Sequence, residues 1–300
     1  MEKNIVINKH GSFYVRSSWP TKILDAISIN ESIFSPNKEL EAVDEIGVGR
    51  VMIKSMRYWA NALGIASEHK TSQGVILRLT SLGELIKKYD PYFQNIGTLW
   101  LLHRNLTKIG SEATAWSWAF NLFNKKSFSK NDFCNDFTSY LQHKGVEYNK
   151  KAIEKEFDCF KNTYVSEKEF DIKKIIEEDN SPFFARLKLL SYVGNGVYVQ
   201  NNVGIHEVPL DIFCYCIIND NRELLADSRQ IQIDHLLEDD GQVGKYMCLT
   251  YSILIEYLQR LENQNKIKLI NNFGNRLIQI SEDLDEDTIL KEYFMKEKKA

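Results

Sequence analysis

The sequence predicts a mainly α (α+β) protein of winged helix-turn-helix units, with small β-hairpin wings and helical bundle segments between them. Three observations predict it. Residues 39–80 run helix, Gly-Val-Gly turn, helix, hairpin; the apolar period from Thr98 to Tyr164 is helical; and a helix followed by a hairpin returns over Thr250–Ile280. The expected organisation is a winged unit over residues 1–90, a helical domain over 91–166 with a second helix-turn-helix, and a helical domain with a hairpin over 181–285. A mobile tail is expected over 286–300, where the chain turns acidic and then lysine-rich.

The elements follow in chain order. A helix is expected over Thr21–Ile27, then a loop from Asn30 to Lys38 with Ser35-Pro36-Asn37 as its stop signal. Glu39–Ile46 reads as a short helix and Arg50–Leu63 as a longer one closed by Gly64, with Gly47 and Gly49 supplying the turn between them. Ile65–His69 and Val75–Leu79 alternate as two strands of a hairpin, and Ser81–Glu84 has the spacing of a capping box. Asp90-Pro91 ends that unit. Helices are then expected over Thr98–Leu106, Glu112–Phe123, Lys130–His143 and Asn149–Tyr164, with a domain boundary near 166–181. Further on, Phe183–Ser191 reads as helical, Gly196–Gln200 as a strand, Pro209–Ile218 and Thr250–Glu262 as helices, and Lys266–Ile270 with Arg276–Ile280 as a hairpin.

Composition narrows the function. A net charge of −3 excludes a polycation that coats nucleic acid, but a local DNA-contacting face depends on where the charges lie. No apolar run reaches the ~18 residues of a membrane span. The start, Met1-Glu-Lys-Asn-Ile5, lacks an apolar signal core, and the five cysteines are an odd number in a long chain. A soluble protein of the reducing cytoplasm is expected.

The functional claim rests on the second helix. Met52, Met56, Trp59 and Leu63 recur at helical spacing as an apolar face, while Arg50, Lys54, Arg57 and Asn61 repeat that spacing on the other side. Arginine and lysine suit phosphates and guanine edges, and asparagine suits adenine, so the row fits double-stranded DNA. His69, Lys70 and Arg78 of the hairpin are placed to meet phosphates beside the groove. Lys150, Lys151 and Lys155 lead the second helix of the pair Ser129–Gly145 and Asn149–Tyr164, which reads equally as another helix-turn-helix or as a plain helical hairpin. The C-terminal helix and hairpin mix Arg260, Lys266, Lys268 and Arg276 with Glu256 and Glu262, which favours a packing or partner role.

No catalytic constellation stands out, so no enzyme activity, metal or cofactor is expected. Cys214-Tyr-Cys216 lacks the second half of a zinc site and reads as buried free cysteine. His103 reads as a satisfied core histidine. Asp239-Asp240-Gly241 is a turn rather than a calcium loop, and Gly47-Val-Gly49 lacks the lysine of a phosphate loop.

His10-x-Ser12-Phe13-x-x-Arg16-x-x-Trp19, Ile46-Gly-Val-Gly49, Ser55-Met-Arg57-Tyr58-Trp59-x-x-Ala62-Leu63-Gly64 and Leu79-Thr80-x-x-Gly83 form an N-terminal signature. Asp90-Pro91-Tyr92, Thr98–His103 and Ala113-Thr114-x-Trp116-x-x-x-Phe120-Asn121 continue it. The chain thereby resembles a bacterial domain-of-unknown-function family, number four thousand and seven. Its members are often encoded beside sulfurtransferase-like proteins of the phosphoadenylylsulfate-reductase type, in DNA phosphorothioation and phage-defence loci. The resemblance implies a DNA-linked accessory role with such a sulfurtransferase as partner, and brings no catalytic residues with it. A protein-docking adaptor and a transcriptional regulator of its own locus are the alternatives.

Overall fold

Pro20 lies in the first turn of α1 (Trp19–Ile29), where its missing N–H is one that a helix leaves unbonded anyway. That helix opens a computed structural model describing residues 5–72, 74–165, 181–272 and 275–297, so the boundary expected near 166–181 falls almost wholly outside the described residues. α2 (Glu39–Ile46) stops at Gly47, whose φ of 72° resists any side chain and whose N–H returns to the Val43 carbonyl at 3.0 Å. Gly49 needs no such freedom: its φ is −64° and it simply caps α3 (Arg50–Ala62) in extended geometry. The hairpin of β1 (Ala66–Thr71) and β2 (Gly74–Leu79) follows. α4 (Ser81–Tyr89) starts one residue earlier than its sequence pattern implies. Its cap is the Thr80 hydroxyl, which accepts from Gly83 N at 3.0 Å and is itself held by donating to Gly64 O at 2.7 Å.

The chain continues through α5 (Ile96–Thr107), α6 (Thr114–Asn121), β3 (Ser127–Ser129), α7 (Lys130–His143), α8 (Lys150–Tyr164), β4 (Leu190–Gly194) and β5 (Val197–Gln200). It ends with α9 (Leu210–Asp220), α10 (Arg222–Ser228), β6 (Gln230–Gln232), α11 (Ile233–Glu238), α12 (Val243–Tyr246), α13 (Tyr251–Asn263), β7 (Ile267–Asn272), β8 (Asn275–Ile280) and α14 (Glu286–Glu297). This is a mixed α+β fold with small antiparallel sheets.

One order recurs three times: helix, short extended segment, helix, helix, hairpin, with the short α12 inserted between the two helices of the third. In the second and third occurrences the extended segment is a strand that pairs with the last strand of the hairpin, giving sheets ordered β3–β5–β4 and β6–β8–β7. In the first it shrinks to one backbone bond, Leu77 N to Glu31 O at 2.8 Å, again onto the last strand. The similarity is one of topology.

Two expectations are overturned. Phe183–Ser191 is not a helix: a 3-10 turn at Ala185–Leu187 ends where Lys188 adopts φ 54°, and Leu190 pairs with Gln200 in the sheet. Long-range pairing overrides a locally helical pattern there. The tail expected to be mobile is, over Glu286–Glu297, a helix with Ile289, Leu290, Tyr293 and Phe294 buried. Gly97 makes the room, since a Cβ on it would come within 2.4 Å of the Tyr293 hydroxyl, which instead donates to Asn95 Oδ1 at 2.5 Å.

The buried side chains form one cluster running from Ile7 to Phe294, and α5 lies at its centre. Only Ile96 and Asn105 of α5 escape burial. Trp100 Nε1 donates to Glu207 O at 2.8 Å, and Asn105 Nδ2 to Leu63 O at 3.1 Å. The neutral His103 ring bridges Tyr246 O at 2.8 Å and the Tyr164 hydroxyl at 2.9 Å, and burial lowers its pKa to about 4. Arg104 binds Asp220 Oδ1 through Nε at 2.8 Å, while the Tyr246 hydroxyl donates to the other carboxylate oxygen at 2.7 Å. α5 thus ties parts of all three repeats together.

Candidate nucleic-acid interface

α3 is positioned by its apolar side. Met56, Trp59 and Leu63 are sealed in the core, and Trp59 Nε1 donates to Phe13 O at 2.9 Å, which fixes the helix rotation. That rotation turns the Arg50 and Lys54 side chains outward, 66% and 61% exposed. Further along the helix the row sinks: Arg57 is 24% exposed, and Asn61 folds its amide back onto Arg57 O at 2.9 Å.

The row is not electrostatically free. Arg50 and Lys54 both bind Glu39 of α2, Lys54 at 3.2 Å, and the hydrogen bond from Arg50 comes first among the interactions that hold this carboxyl below its usual range. Arg57 grips Glu68 of β1 through Nε at 3.0 Å and Nη2 at 2.6 Å. The cleft these groups line, about 540 Å³, also takes in Asn61 and Glu112, so it is mixed in sign.

The hairpin register separates its two cations. Lys70 pairs with Val75 and Glu68 with the buried Leu77, whereas Arg78 pairs with Ser67. Alternation therefore puts Lys70 on the same hairpin face as Glu68, and Arg78 on the opposite face, where it binds Glu31 at 3.2 Å. The structure brings Arg50, Lys54 and Arg57 together, adds Lys70 on the adjoining strand, and leaves Arg78 apart. Glu31, Glu39 and Glu68 are the site residues that the sequence reading missed. Their signal was faint: Glu39 and Glu68 each lie eleven positions from the arginine they bind, on a different element.

The corresponding helices of the other repeats carry different chemistry. In α8, Lys150 reaches Glu154 at 3.8 Å, while Lys151 and Lys155 are exposed and form no ion pair among the described residues. The acids around them are taken by other lysines: Asp158 by Lys130 at 2.9 Å and Asp136 by Lys125 at 2.9 Å. In α13 the exposed positions are Tyr251, Ser252, Glu256, Gln259 and Asn263, and Arg260 turns back to Ile205 O at 2.8 Å.

His10 joins the first two repeats internally. Its Nε2 faces Glu156 Oε1 at 3.0 Å, its Nδ1 accepts from Ser12 N at 3.2 Å, and Cys159 Sγ lies 3.2 Å from the same nitrogen. The group is sealed from solvent and serves packing. Cys214, Cys216 and Cys248 are free and buried, with burial pushing each thiol up to about 12. Among the described residues no cluster of three His, Cys, Asp or Glu side chains is arranged to hold a metal ion, and no helix is long and apolar enough to cross a membrane.

Two solved structures share the fold. A crystal structure titled as magnesium ion-bound SspB aligns with a TM-score of 0.82 at 20% identity, covering 99% of this chain and 90% of that one. A second SspB crystal structure aligns at 0.81, again at 20% identity and with the same coverage. No curated protein sequence matches the chain. Residues 7–294 match the family described as protein of unknown function DUF4007, and the chain belongs to it.

Proposed function

We propose that the chain is a DNA-binding accessory subunit of a bacterial DNA phosphorothioation or phage-defence system. In this reading α2, α3 and the β1–β2 hairpin are a winged helix-turn-helix that grips double-stranded DNA. The observation that carries it is the outward row on α3: Arg50 and Lys54 stand exposed on a helix whose other side is sealed by Met56 and Trp59. Arg57, Asn61 and Lys70 flank the row, and Arg78 meets DNA only if the duplex wraps past the hairpin. The glutamates do not forbid contact. Arg50 and Lys54 are exposed although Glu39 is only 11% so, and phosphate can take over the cations that Glu39 now shares.

The link to phosphorothioation, and to a phosphoadenylylsulfate-reductase-like sulfurtransferase as partner, rests on the family resemblance. One observation favours a second reading, a protein-docking adaptor for that partner. Leu40 and Val51 are 74% and 57% exposed on the same two helices, beside a charge row already answered by glutamates.

One experiment separates the two. The R50E/K54E/R57E variant is titrated with phosphorothioated and unmodified duplexes across a salt series. Three lost phosphate contacts should lower the log–log salt slope by about three. A folded variant with unchanged DNA affinity refutes the α3 interface, and sulfurtransferase binding that survives the charge reversal supports the adaptor.

A further inference from the structure

Each repeat contains two helices between its extended segment and its hairpin, successive in the first two repeats and separated by the short α12 in the third, and their first turns carry opposite chemistry. The leading helices hold acids there: Glu39 and Glu41 in α2, Asp132 in α7, Asp234 in α11. The following helices α3, α8 and α13 hold none. An acid at a helix N-terminus is favoured by the positive end of the macrodipole, and a cation is disfavoured. α8 goes furthest against this preference, with Lys150 and Lys151 as its first two residues after the Asn149 cap. Folding gains from that placement no more than the exposed Lys150–Glu154 pair.

The same lysines are poorly answered from within the protein. α7, α6 and the 185–187 turn pack on α8, with the 143–149 turn leading into it and the Tyr198 ring of β5 against it; α6 carries no charged residue and the 185–187 turn only Arg186. Asp132 and Asp136 of α7 bind Lys125, the latter at 2.9 Å; Lys130 of α7 binds Asp158 of α8 at 2.9 Å; Lys161 of α8 lies over the Tyr198 ring of β5. Lys144 and His143 add positive or titratable groups at the turn, and Glu147 there is the one exposed acid. Lys151 and Lys155 are left on one helical face, four residues apart, exposed and unpaired among the described residues. Their Cα atoms rise about 6 Å along the helix. One strand of a duplex offers a charge every ~3.4 Å of axis, so successive phosphates are within reach of both ammonium groups.

We propose that α8 is a second contact for duplex DNA, in which Lys151 and Lys155 bind backbone phosphates and Lys150 supports them. This rests on the DNA-binding reading above but names a different repeat as carrying phosphate affinity. The contact is to the backbone and carries no base specificity of its own.

The test uses the full chain and fluorescence anisotropy on unmodified duplex DNA over a salt series. It compares wild type, K151E/K155E, the neutral K151Q/K155Q and R50E/K54E/R57E. K151E/K155E is expected to lower the log–log slope by about two, and K151Q/K155Q to lower it in the same direction, with thermal midpoints unchanged. Both lysine variants keeping the wild-type slope while the α3 variant loses it overturns the α8 contact and leaves the α3 reading standing. The reverse pattern supports α8 and removes α3. A wild-type chain that binds no duplex at low salt overturns both.

Discussion

α3 and α8 occupy the same position in successive repeats, yet their cations have opposite fates. On α3 the row is longer and includes two arginines, but Arg50 and Lys54 share Glu39 and Arg57 is held by Glu68. On α8 the row is short: Lys150 pairs with Glu154, Asp136 and Asp158 are occupied by Lys125 and Lys130, which lie off the helix, and Lys151 and Lys155 form no ion pair among the described residues. The number of positive residues on a helix face is therefore a poor guide to its attraction for a polyanion. What counts is whether neighbouring elements have already supplied the counter-charge.

The comparison holds only while both helices stay docked around α5. The largest expected effect is that of Arg104→Met, which leaves the Asp220 carboxylate, 5% exposed, without its cation. A buried charge stripped of its partner costs about 3–5 kcal/mol, so chemical denaturation should show a loss of that order and both rows should fail together. Retention of wild-type stability would mean that α5 does not join the repeats as described.

Acid should act on the same junction. His103 has a folded pKa of about 4 against an ordinary 6.5, so below 6.5 the unfolded chain takes up a proton that the folded one refuses. Stability is complete above pH 6.5 and falls as pH drops toward 4, by about 3 kcal/mol from this group alone. Denaturation curves of wild type and His103→Gln over that window check it: the substitution should flatten the acid slope. DNA titrations that compare α3 with α8 belong above pH 6.5.

The smallest effect sharpens the contrast most directly. Glu39→Gln releases Arg50 and Lys54 and should make α3 behave more like α8. DNA affinity should rise a few-fold at low salt, because binding no longer has to displace Glu39, while the log–log slope stays near the wild-type value since the same cations engage phosphate in both. An unchanged affinity would place the DNA contact elsewhere.

Much of the first repeat was legible in the sequence because its signals are local. The apolar spacing of Met56, Trp59 and Leu63, the Gly47 turn and the Gly64 stop lie within one or two helical turns of what they specify. β3 was invisible for the opposite reason. Ser127–Ser129 is a strand only because it meets Val197–Val199 some seventy residues later, and nothing in three residues announces that. α14 was misjudged because its charges lie outside while Ile289, Leu290, Tyr293 and Phe294 find a surface that exists only once α9 and α4 are in place. The outward row on α3 was legible from periodicity, since periodicity fixes faces. Its neutralisation by Glu39 and Glu68 was not, since helical spacing says nothing about which acid a neighbouring element will bring.

The central helix has a practical corollary for dissecting the molecule. Trp100, His103 and Arg104 are completed by groups near residues 164, 207, 220 and 246, so a fragment ending at Asp90 or beginning at Ser181 would turn an unfinished interior wall to water. Excised repeats would aggregate rather than report on their own chemistry. Questions about which helix touches what are best put to the intact chain, one outward side chain at a time.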